Sequence, residues 1–201
     1  MNNYILKNEY RVLRPVTVDD AEFIVQLRNQ PHVKGFINDT STDVERQRQW
    51  IREYLTRENE YYWIIETKDT HRPYGTTSLY HYDATKRQIE AGRWVKLIDA
   101  PQDNVFAGRI QMNDFVFNVL GVERLVFDVV ATNKQVLRYH RMCGAVEIAR
   151  RSQDVVIQGQ PVDQFVFLET PESWAAVRPK ICRWAGIDPV ATCGEIIKVM
   201  I

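Results

Sequence analysis

The order of helical and strand-like segments predicts an α+β fold with a mixed, mostly antiparallel central sheet flanked by helices. Three short runs rich in aromatic and β-branched residues follow one another with turn residues between them, which predicts a meander of strands over 61–67, 75–82 and 88–98. A helical pattern over 105–120 separates this meander from a strongly strand-like run, 124–130. A helix that joins two neighbouring strands in this way places them parallel, so one parallel step is expected.

The part of the chain before the meander predicts one strand and two helices. The run 10–15 alternates as a strand does, and Pro15 ends it. Thr17 has the character of a helix N-cap, because acidic residues and then apolar residues at helical spacing follow it. After a loop rich in Pro, Gly, Asn and Asp, a second helix is expected to begin near 41 and to end at 57–59.

After 124–130, the pattern predicts a helix and a strand hairpin. Asn133 opens the helix, and Gly144 follows its last apolar residue. Strands are then expected over 144–149 and 162–170, with a turn between them.

The chain is expected to form a single domain over 1–201, with a core at about 10–174. The C-terminal segment holds three prolines and two tryptophans between 171 and 189, which is too apolar for a loose end. The tail, 175–201, is therefore expected to pack on the core or to form a dimer contact.

Composition excludes several classes of function. Lys and Arg total 26, Asp and Glu total 26, and the formal net charge is +0, so no global basic field gathers nucleic acid or an anionic membrane. Cys143, Cys182 and Cys193 have neither C-x-x-C spacing nor a paired histidine, which argues against a disulfide framework and a zinc or other metal site. The start of the chain lacks the pattern of a signal peptide, and no window approaches the roughly 18 apolar residues of a membrane span. We therefore expect a cytoplasmic protein that binds neither nucleic acid nor membrane.

Three stretches carry a resemblance to a known family. They are VLRPVTVDDAEFIVQLRN (12–29), DFVFNVLGVERL (114–125) and NKQVLRYHRMCGA (133–145). With the order of elements, they resemble the GNAT superfamily of acyl-CoA-dependent N-acyltransferases over nearly the whole chain. RNQPHV, QWI and DQFVFL followed by Trp174 are similar to the bacterial branch with ribosomal-protein N-terminal and amino-sugar-nucleotide N-acetyltransferases, of which the sugar-nucleotide enzymes look closer.

The resemblance implies the GNAT fold and acetyl-CoA as co-substrate. It also implies acetyl transfer to a primary amine by direct attack in a ternary complex, with an amino-sugar nucleotide of surface-polysaccharide biosynthesis as acceptor. Two alternatives remain: a protein N-terminal or small-amine acetyltransferase, and a GNAT-fold binding module without catalysis.

The loop expected to hold the CoA pyrophosphate departs from the pattern of the family. The segment DNVFAGR stands where the family has Q/R-x-x-G-x-G/A, so that either Gly108 matches, or Gln102 and Ala107 match. The first family glycine becomes Phe106 or Val105, and Asp103 adds a negative charge, so a loop that binds weakly or not at all is the alternative. A helix N-terminus still offers backbone N–H groups to an anion, and Arg109 could pair directly with phosphate. The resemblance assigns this site to Asn104, Val105, Phe106, Ala107, Gly108 and Arg109.

Two further segments are expected to contact the cofactor. In the family, the strand before the loop supplies backbone groups to pantetheine, which implies that role for Val95, Lys96 and Leu97. Asn133 is expected both to cap its helix and to contact the pantetheine arm.

Proton handling is assigned to Tyr139, His140 and Glu90. The tyrosine of the family stands seven residues after the asparagine and four before the glycine, and here that count falls on His140 rather than on Tyr139. A histidine can donate a proton to the departing sulfur, although a lone helix histidine is more often structural. Glu90 is the preferred base for the amine, with Glu66 and Asp128 as alternatives, although most acidic residues on strands are only solvated.

The acceptor is expected to enter between the first two helices. Arg28, Asn29, His32 and Trp50 would line this entrance, and the alternative is a polar loop with a half-buried tryptophan. A sugar-nucleotide acceptor needs cations for its own diphosphate, so Arg28 is expected to matter most for that class of acceptor.

Overall fold

The computed structural model of the chain describes residues 2–100, 104–190 and 194–200. Gln102, Asp103 and Cys193, on which some of the expectations fall, lie outside these residues. In the described part, all strands join one nine-stranded sheet in the order β7-β8-β6-β5-β4-β3-β2-β1-β9. The strands are β1 (Asn2–Lys7), β2 (Arg11–Pro15), β3 (Tyr61–Thr67), β4 (Pro73–Asp83), β5 (Gln88–Lys96), β6 (Arg124–Val130), β7 (Val146–Ile157), β8 (Gln160–Glu169) and β9 (Glu195–Met200).

Helices cover both faces of the sheet, which confirms the predicted α+β class. They are α1 (Ala21–Arg28), α2 (Pro31–Lys34), α3 (Val44–Tyr54), α4 (Val105–Asp114), α5 (Lys134–Met142) and α6 (Pro171–Ala185). A π turn, Phe115–Val119, extends α4, so the helix predicted over 105–120 is present with altered winding at its end. No helix among the described residues is long and apolar enough to cross a bilayer.

Side chains on β3 show how the two faces are built. Tyr61, Trp63 and Ile65 belong to the larger core cluster, under α4, α5 and α6. Tyr62 and Ile64 point to the other face and pack with residues of α1 and α3. A strand buried on both faces has this continuous apolar sequence, since its alternate side chains enter different cores.

The predicted parallel step joins β5 to β6, and it is short. Gln88, Ile89 and Glu90 pair with Arg124, Leu125 and Val126, and the register ends there. Both strands continue, β5 to Lys96 and β6 to Val130. The sheet therefore opens between these two strands, and their facing edges, which no longer pair with each other, form the walls of a cleft.

Four described elements were not predicted, and one of them, α2, lies in the segment expected to be a loop. Strand β1 pairs antiparallel with the edge strand β9 along Asn2–Lys7. The C-terminal helix α6 contains Pro179, a residue that normally interrupts a helix. A capping box between Thr170 and Ser173 starts α6, and Gly186 ends it in the left-handed conformation.

Candidate active site

The N-terminus of α4 lies on the face of the cleft covered by α4, α5 and α6. Asn104 caps this helix, because its Oδ1 accepts from the Ala107 N–H at 3.1 Å, and its carbonyl accepts from the Gly108 N–H at 3.1 Å. Among the described residues, the N–H groups of Val105 and Phe106 have no hydrogen-bond partner. Two donors at the positive end of the helix dipole thus remain for an anion, and this end of α4 fits a phosphate group.

The side chain of Phe106 packs against aromatic rings of α5 and α6. The Phe106 ring lies 5.9 Å from the ring of Tyr139 and 5.3 Å from that of Trp184, measured between centroids. Its aromatic contacts are therefore with α5 and α6.

Gly108 allows the side chain of Arg11 to pack closely against the start of α4. A Cβ at this position would overlap the guanidinium of Arg11, which is 1% exposed. The Nη2 of Arg11 donates to the carbonyl of Asn104 and so supports the first turn of the helix. Sequence reasoning missed Arg11, because a charged residue in an edge-like strand normally faces water.

Arg109 was expected to pair with phosphate, and the structure corrects that expectation. The side chain is 4% exposed and forms a buried ion pair with Glu169 of β8. Asn113 donates to the second oxygen of the same carboxylate at 2.7 Å, and Arg109 Nη1 donates to His140 Nδ1 at 3.2 Å. Glu169 and burial thus hold the guanidinium inside the protein, away from the cleft.

The environment of His140 does not fit the expected role of proton donor. Its ring stacks on Phe127 at 4.3 Å, and Nδ1 accepts from Arg109. Burial, with the positive charge of Arg109, lowers the pKa of His140 to about 3. The imidazole is therefore neutral near pH 7, and the imidazolium that would donate a proton is not populated.

Tyr139 faces the cleft side of α5. Its hydroxyl donates to the carbonyl of Val105 at 3.3 Å, and its ring lies 6.2 Å from that of Trp94 on β5. Burial raises the pKa of Tyr139 above its usual value, so that the hydroxyl keeps its proton near pH 7. The tyrosine hydroxyl is thus placed at the first turn of α4, whereas its neighbour His140 is packed in the core.

The residues expected to contact pantetheine have partners within the protein. Asn133 caps α5, since its Oδ1 accepts from the Val136 N–H at 3.2 Å. Both backbone groups of Leu97 are occupied, because its N–H donates to Tyr74 and its carbonyl accepts from Ala100. The carbonyl of Lys96 lies 3.2 Å from His32 Nε2, and Val95 pairs with Thr76 across the sheet.

Acidic groups gather on the opposite face of the cleft, next to the last parallel pair. Glu90 lies 3.0 Å from His81 Nδ1, and Asp128 of β6 pairs with Arg151 at 2.6 Å. Burial, and then the nearby charge of Glu90, raise the pKa of Asp128, although Arg151 opposes the shift. Glu66 stands elsewhere on β3, where Arg14 holds its carboxylate at 2.6 Å.

A cavity of about 680 Å³ opens beside these acids, between α1, α3 and β5. Arg28 and Trp50, both expected at the acceptor entrance, line this cavity. The remaining lining residues are Ile24, Asn38, Asp39, Thr40, Ser41, Asp43, Arg46, Gln47, Tyr62 and Arg93.

Asn29 and His32 were also expected here, and neither lines the cavity. Asn29 Nδ2 donates to the Val25 carbonyl at 2.9 Å and so fixes the end of α1. His32 is exposed on α2 and contacts the Lys96 carbonyl. Both side chains therefore hold the loop after α1 in place.

Arg93 is a lining residue that sequence reasoning missed. Its backbone has φ +52°, in the left-handed region, at an irregularity in the pairing of β4 and β5. Gly92, just before it, indicated a bulge or a close approach of another group to the strand. The structure shows a close approach, since a Cβ at Gly92 would overlap the hydroxyl of Tyr80.

Comparisons with known proteins show the family and the fold of the chain. Residues 11–146 match the sequence model of the acetyltransferase (GNAT) domain family. The apo form of FdhC, described as a nucleotide-linked sugar GNAT, is 28% identical with a TM-score of 0.75, over 92% of this chain and 99% of that chain. No curated protein matches the chain by sequence.

Two more distant structures share the fold. A GCN5-related N-acetyltransferase from Brucella melitensis is 16% identical with a TM-score of 0.76, over 90% of this chain and 85% of that chain. A variant of spermidine N-acetyltransferase SpeG from Vibrio cholerae is 15% identical with a TM-score of 0.72, over 83% and 97% respectively.

Proposed function

Because the chain belongs to the GNAT acetyltransferase family and has its fold, we propose that it transfers an acetyl group from acetyl-CoA to the primary amine of an amino-sugar nucleotide. The amine attacks directly, in a ternary complex with both substrates bound. The bacterial branch with sugar-nucleotide N-acetyltransferases suits this acceptor, as does the likeness to a nucleotide-linked sugar GNAT.

The separation of charge on the acceptor face carries the proposal. Glu90 and Asp128 lie where β5 and β6 part, and Arg28 and Arg93 lie in the adjoining cavity. Tyr80 connects the two groups, because it interacts with Glu90 and lies under the Arg93 guanidinium at 4.3 Å. An amino-sugar nucleotide has a matching polarity, with an ammonium on the sugar at one end and a diphosphate between the sugar and the nucleoside. A polyamine has no group that would use the arginines.

The other face of the cleft fits acetyl-CoA. The free N–H groups of Val105 and Phe106 would hold phosphate oxygens at the end of α4. The unpaired edges of β5 and β6 leave room for an extended pantetheine arm between the strands. Acetyl-CoA supplies a thioester whose carbonyl carbon accepts the amine.

Residues of this chain would then handle the protons of the transfer. Glu90 or Asp128 accepts one proton from the acceptor ammonium, which leaves a neutral nitrogen able to attack. The C–N bond forms as the C–S bond breaks, and the acylated nitrogen releases its second proton to water. The hydroxyl of Tyr139 donates its proton to the departing sulfur and is reprotonated from water. Tyr139 takes this role in place of His140, because its hydroxyl lies at the first turn of α4.

The proposal can be tested in two steps. Acetyl-CoA at about 100 times its dissociation constant is expected to add about 2.7 kcal/mol to the free energy of unfolding, which a thermal shift assay detects. Release of free thiol is then measured with UDP-linked and dTDP-linked amino sugars, spermidine and N-terminal peptides as acceptors.

Amino-sugar nucleotides are expected to give the highest kcat/KM. A preference for spermidine or for peptides would overturn the acceptor class and leave the acetyltransferase activity standing. The absence of any thermal shift at millimolar acetyl-CoA would instead favour a binding module of the same fold.

A further inference from the structure

We propose that the cavity between α1, α3 and β5 contains a subsite for a nucleoside diphosphate, in which Arg28 and Arg93 bind the phosphates and Trp50 contacts the base. This inference rests on the proposed acceptor class and assigns the residues that recognise its nucleotide half. The subsite can be occupied without an amino sugar and without acetyl-CoA.

The first argument is the absence of counter-charge at these arginines. Within residues 2–100, 104–190 and 194–200, no carboxylate forms an ion pair with Arg28 or Arg93, which are both partly buried. Most other arginines in the same ranges have such a partner, including Arg14 with both Asp20 and Glu66. Partly buried guanidinium groups without an anion cost stability, so their retention indicates a ligand that supplies the charge.

The second argument is the fixed position of Arg93. Its guanidinium carbon lies 4.3 Å from the ring centre of Tyr80, 5.4 Å from that of Trp50 and 5.6 Å from that of Tyr62. Nη1 also donates to Ser78 Oγ at 3.2 Å. The left-handed backbone of Arg93 directs its side chain into the cavity. Three aromatic rings and a hydroxyl then fix the position of the guanidinium.

The third argument is that Arg28 and Arg93 line the same cavity. Arg28 Nε donates to Thr40 Oγ1 at 2.8 Å, which leaves both Nη atoms for a ligand. Burial lowers the pKa of Arg28, and the positive charge of Arg93 lowers it further. An anion bound between the two guanidinium groups relieves this repulsion, and a diphosphate offers one phosphate to each.

The rest of the cavity suits a nucleoside. Its volume of about 680 Å³ lies within the range of roughly 300–1,000 Å³ that small-molecule sites occupy. The ring of Trp50 is partly exposed and stacks on Tyr54 at 5.5 Å, so it presents a rigid aromatic surface to a base. Asp43 caps α3, whereas Asp39 lies on the loop and can accept hydrogen bonds from ribose hydroxyls.

The experiment measures binding of UDP and dTDP by isothermal titration calorimetry, with no acetyl-CoA present. Arg28→Gln and Arg93→Gly are each expected to weaken binding at least tenfold. Arg93→Gly also suits the left-handed backbone, so lost binding cannot be ascribed to strain at that residue. Arg48→Ala is the matched control, since this exposed arginine of α3 pairs with Glu45 at 3.1 Å, and it is expected to bind as the wild type does.

Inorganic pyrophosphate, titrated into the wild type, separates the phosphate contacts from the base contacts. It is expected to bind at least tenfold more weakly than UDP, and Trp50→Leu is expected to abolish most of that difference. Equal affinity for pyrophosphate and UDP would overturn the role of Trp50.

Failure of this subsite is distinguishable from failure of the proposed function. If UDP and dTDP do not bind, or bind equally to Arg28→Gln and Arg93→Gly, the subsite is wrong even when amines are acetylated. If both nucleotides bind and lose affinity in the variants while no amine is acetylated, the subsite stands and the proposed acetyl transfer falls.

Discussion

Arginines on the two faces of the cleft differ in how their charge is balanced. On the cofactor face, Arg109 is buried with Glu169, Asn113 and His140 around its guanidinium. On the acceptor face, Arg28 and Arg93 touch hydroxyls and aromatic rings, and no carboxylate among the described residues forms an ion pair with them.

This difference distinguishes an arginine whose charge is paired within the protein from an arginine whose charge is available to a ligand. A buried arginine with a carboxylate partner is satisfied within the protein and cannot also neutralise a ligand. An arginine held by aromatic rings keeps its charge available for one. Arg109 thus stabilises the fold, and we propose that Arg28 and Arg93 recognise a ligand.

Replacement of Arg109 by alanine should give the largest loss of stability. Glu169 would be left buried without its cation, which is expected to cost about 3–5 kcal/mol. Denaturant unfolding measures the change, and Arg93→Gly is the comparison, with an expected loss below about 1 kcal/mol. Equal losses in the two variants would remove the distinction between the faces.

Tyr139→Phe tests the cofactor face through activity. The change removes one hydroxyl and its bond to the Val105 carbonyl, so the free energy of unfolding should change by about 1 kcal/mol or less. Without a proton donor for the sulfur, kcat should fall about 100-fold. Thiol release at saturating substrates measures the effect, and His140→Gln is the neighbouring control. A larger loss of kcat in His140→Gln would return the donor role to the histidine.

His140 should make the protein sensitive to acid. Its pKa is about 3 in the folded protein and 6.5 ordinarily, so between these values the unfolded chain binds the proton and the folded chain does not. Stability is therefore complete above pH 6.5 and falls as the pH falls, by about 2 kcal/mol between pH 7 and pH 5. Denaturant unfolding at both pH values should show a smaller difference in His140→Gln, and an unchanged difference would contradict the buried neutral imidazole.

Gly92→Ala should give the smallest effect and bears on the acceptor face. A Cβ here overlaps the Tyr80 hydroxyl, so the ring that supports Arg93 must move, at a cost of about 1 kcal/mol. Thermal unfolding and UDP titration measure the two consequences. Gly35→Ala is the control, because nothing lies within 4 Å of a Cβ at that position.

Local sequence patterns predicted the parts of the fold that depend on local contacts. The meander, the helix before β6 and the parallel step between β5 and β6 were predicted and are confirmed. Strands β1 and β9 were not, since each needs a partner from the opposite end of the chain. Helix α6 was not predicted because it contains Pro179, and proline normally interrupts a helix. Its two ends are nevertheless capped.

Side chains of the candidate site could be predicted only where their partners are near in sequence. Asn133 was predicted to cap its helix, and it does so. Arg109 was assigned to phosphate because its partner, Glu169, is distant in sequence and unrelated by any local pattern. Arg93 went unnoticed since its direction depends on a left-handed backbone within a strand.

The short parallel seam also divides the sheet into two halves that can open independently. Among the described residues, the strand pairs that join β6, β8 and β7 to the other six strands are those of Gln88, Ile89 and Glu90 with β6. Amide hydrogens of β6 and β8 should therefore exchange with solvent as one cooperative unit, separate from β3 and β4. Ligands that contact both walls of the cleft would stabilise the pairing of β5 with β6. Substrate binding should therefore slow amide hydrogen exchange at this pairing more than anywhere else in the sheet.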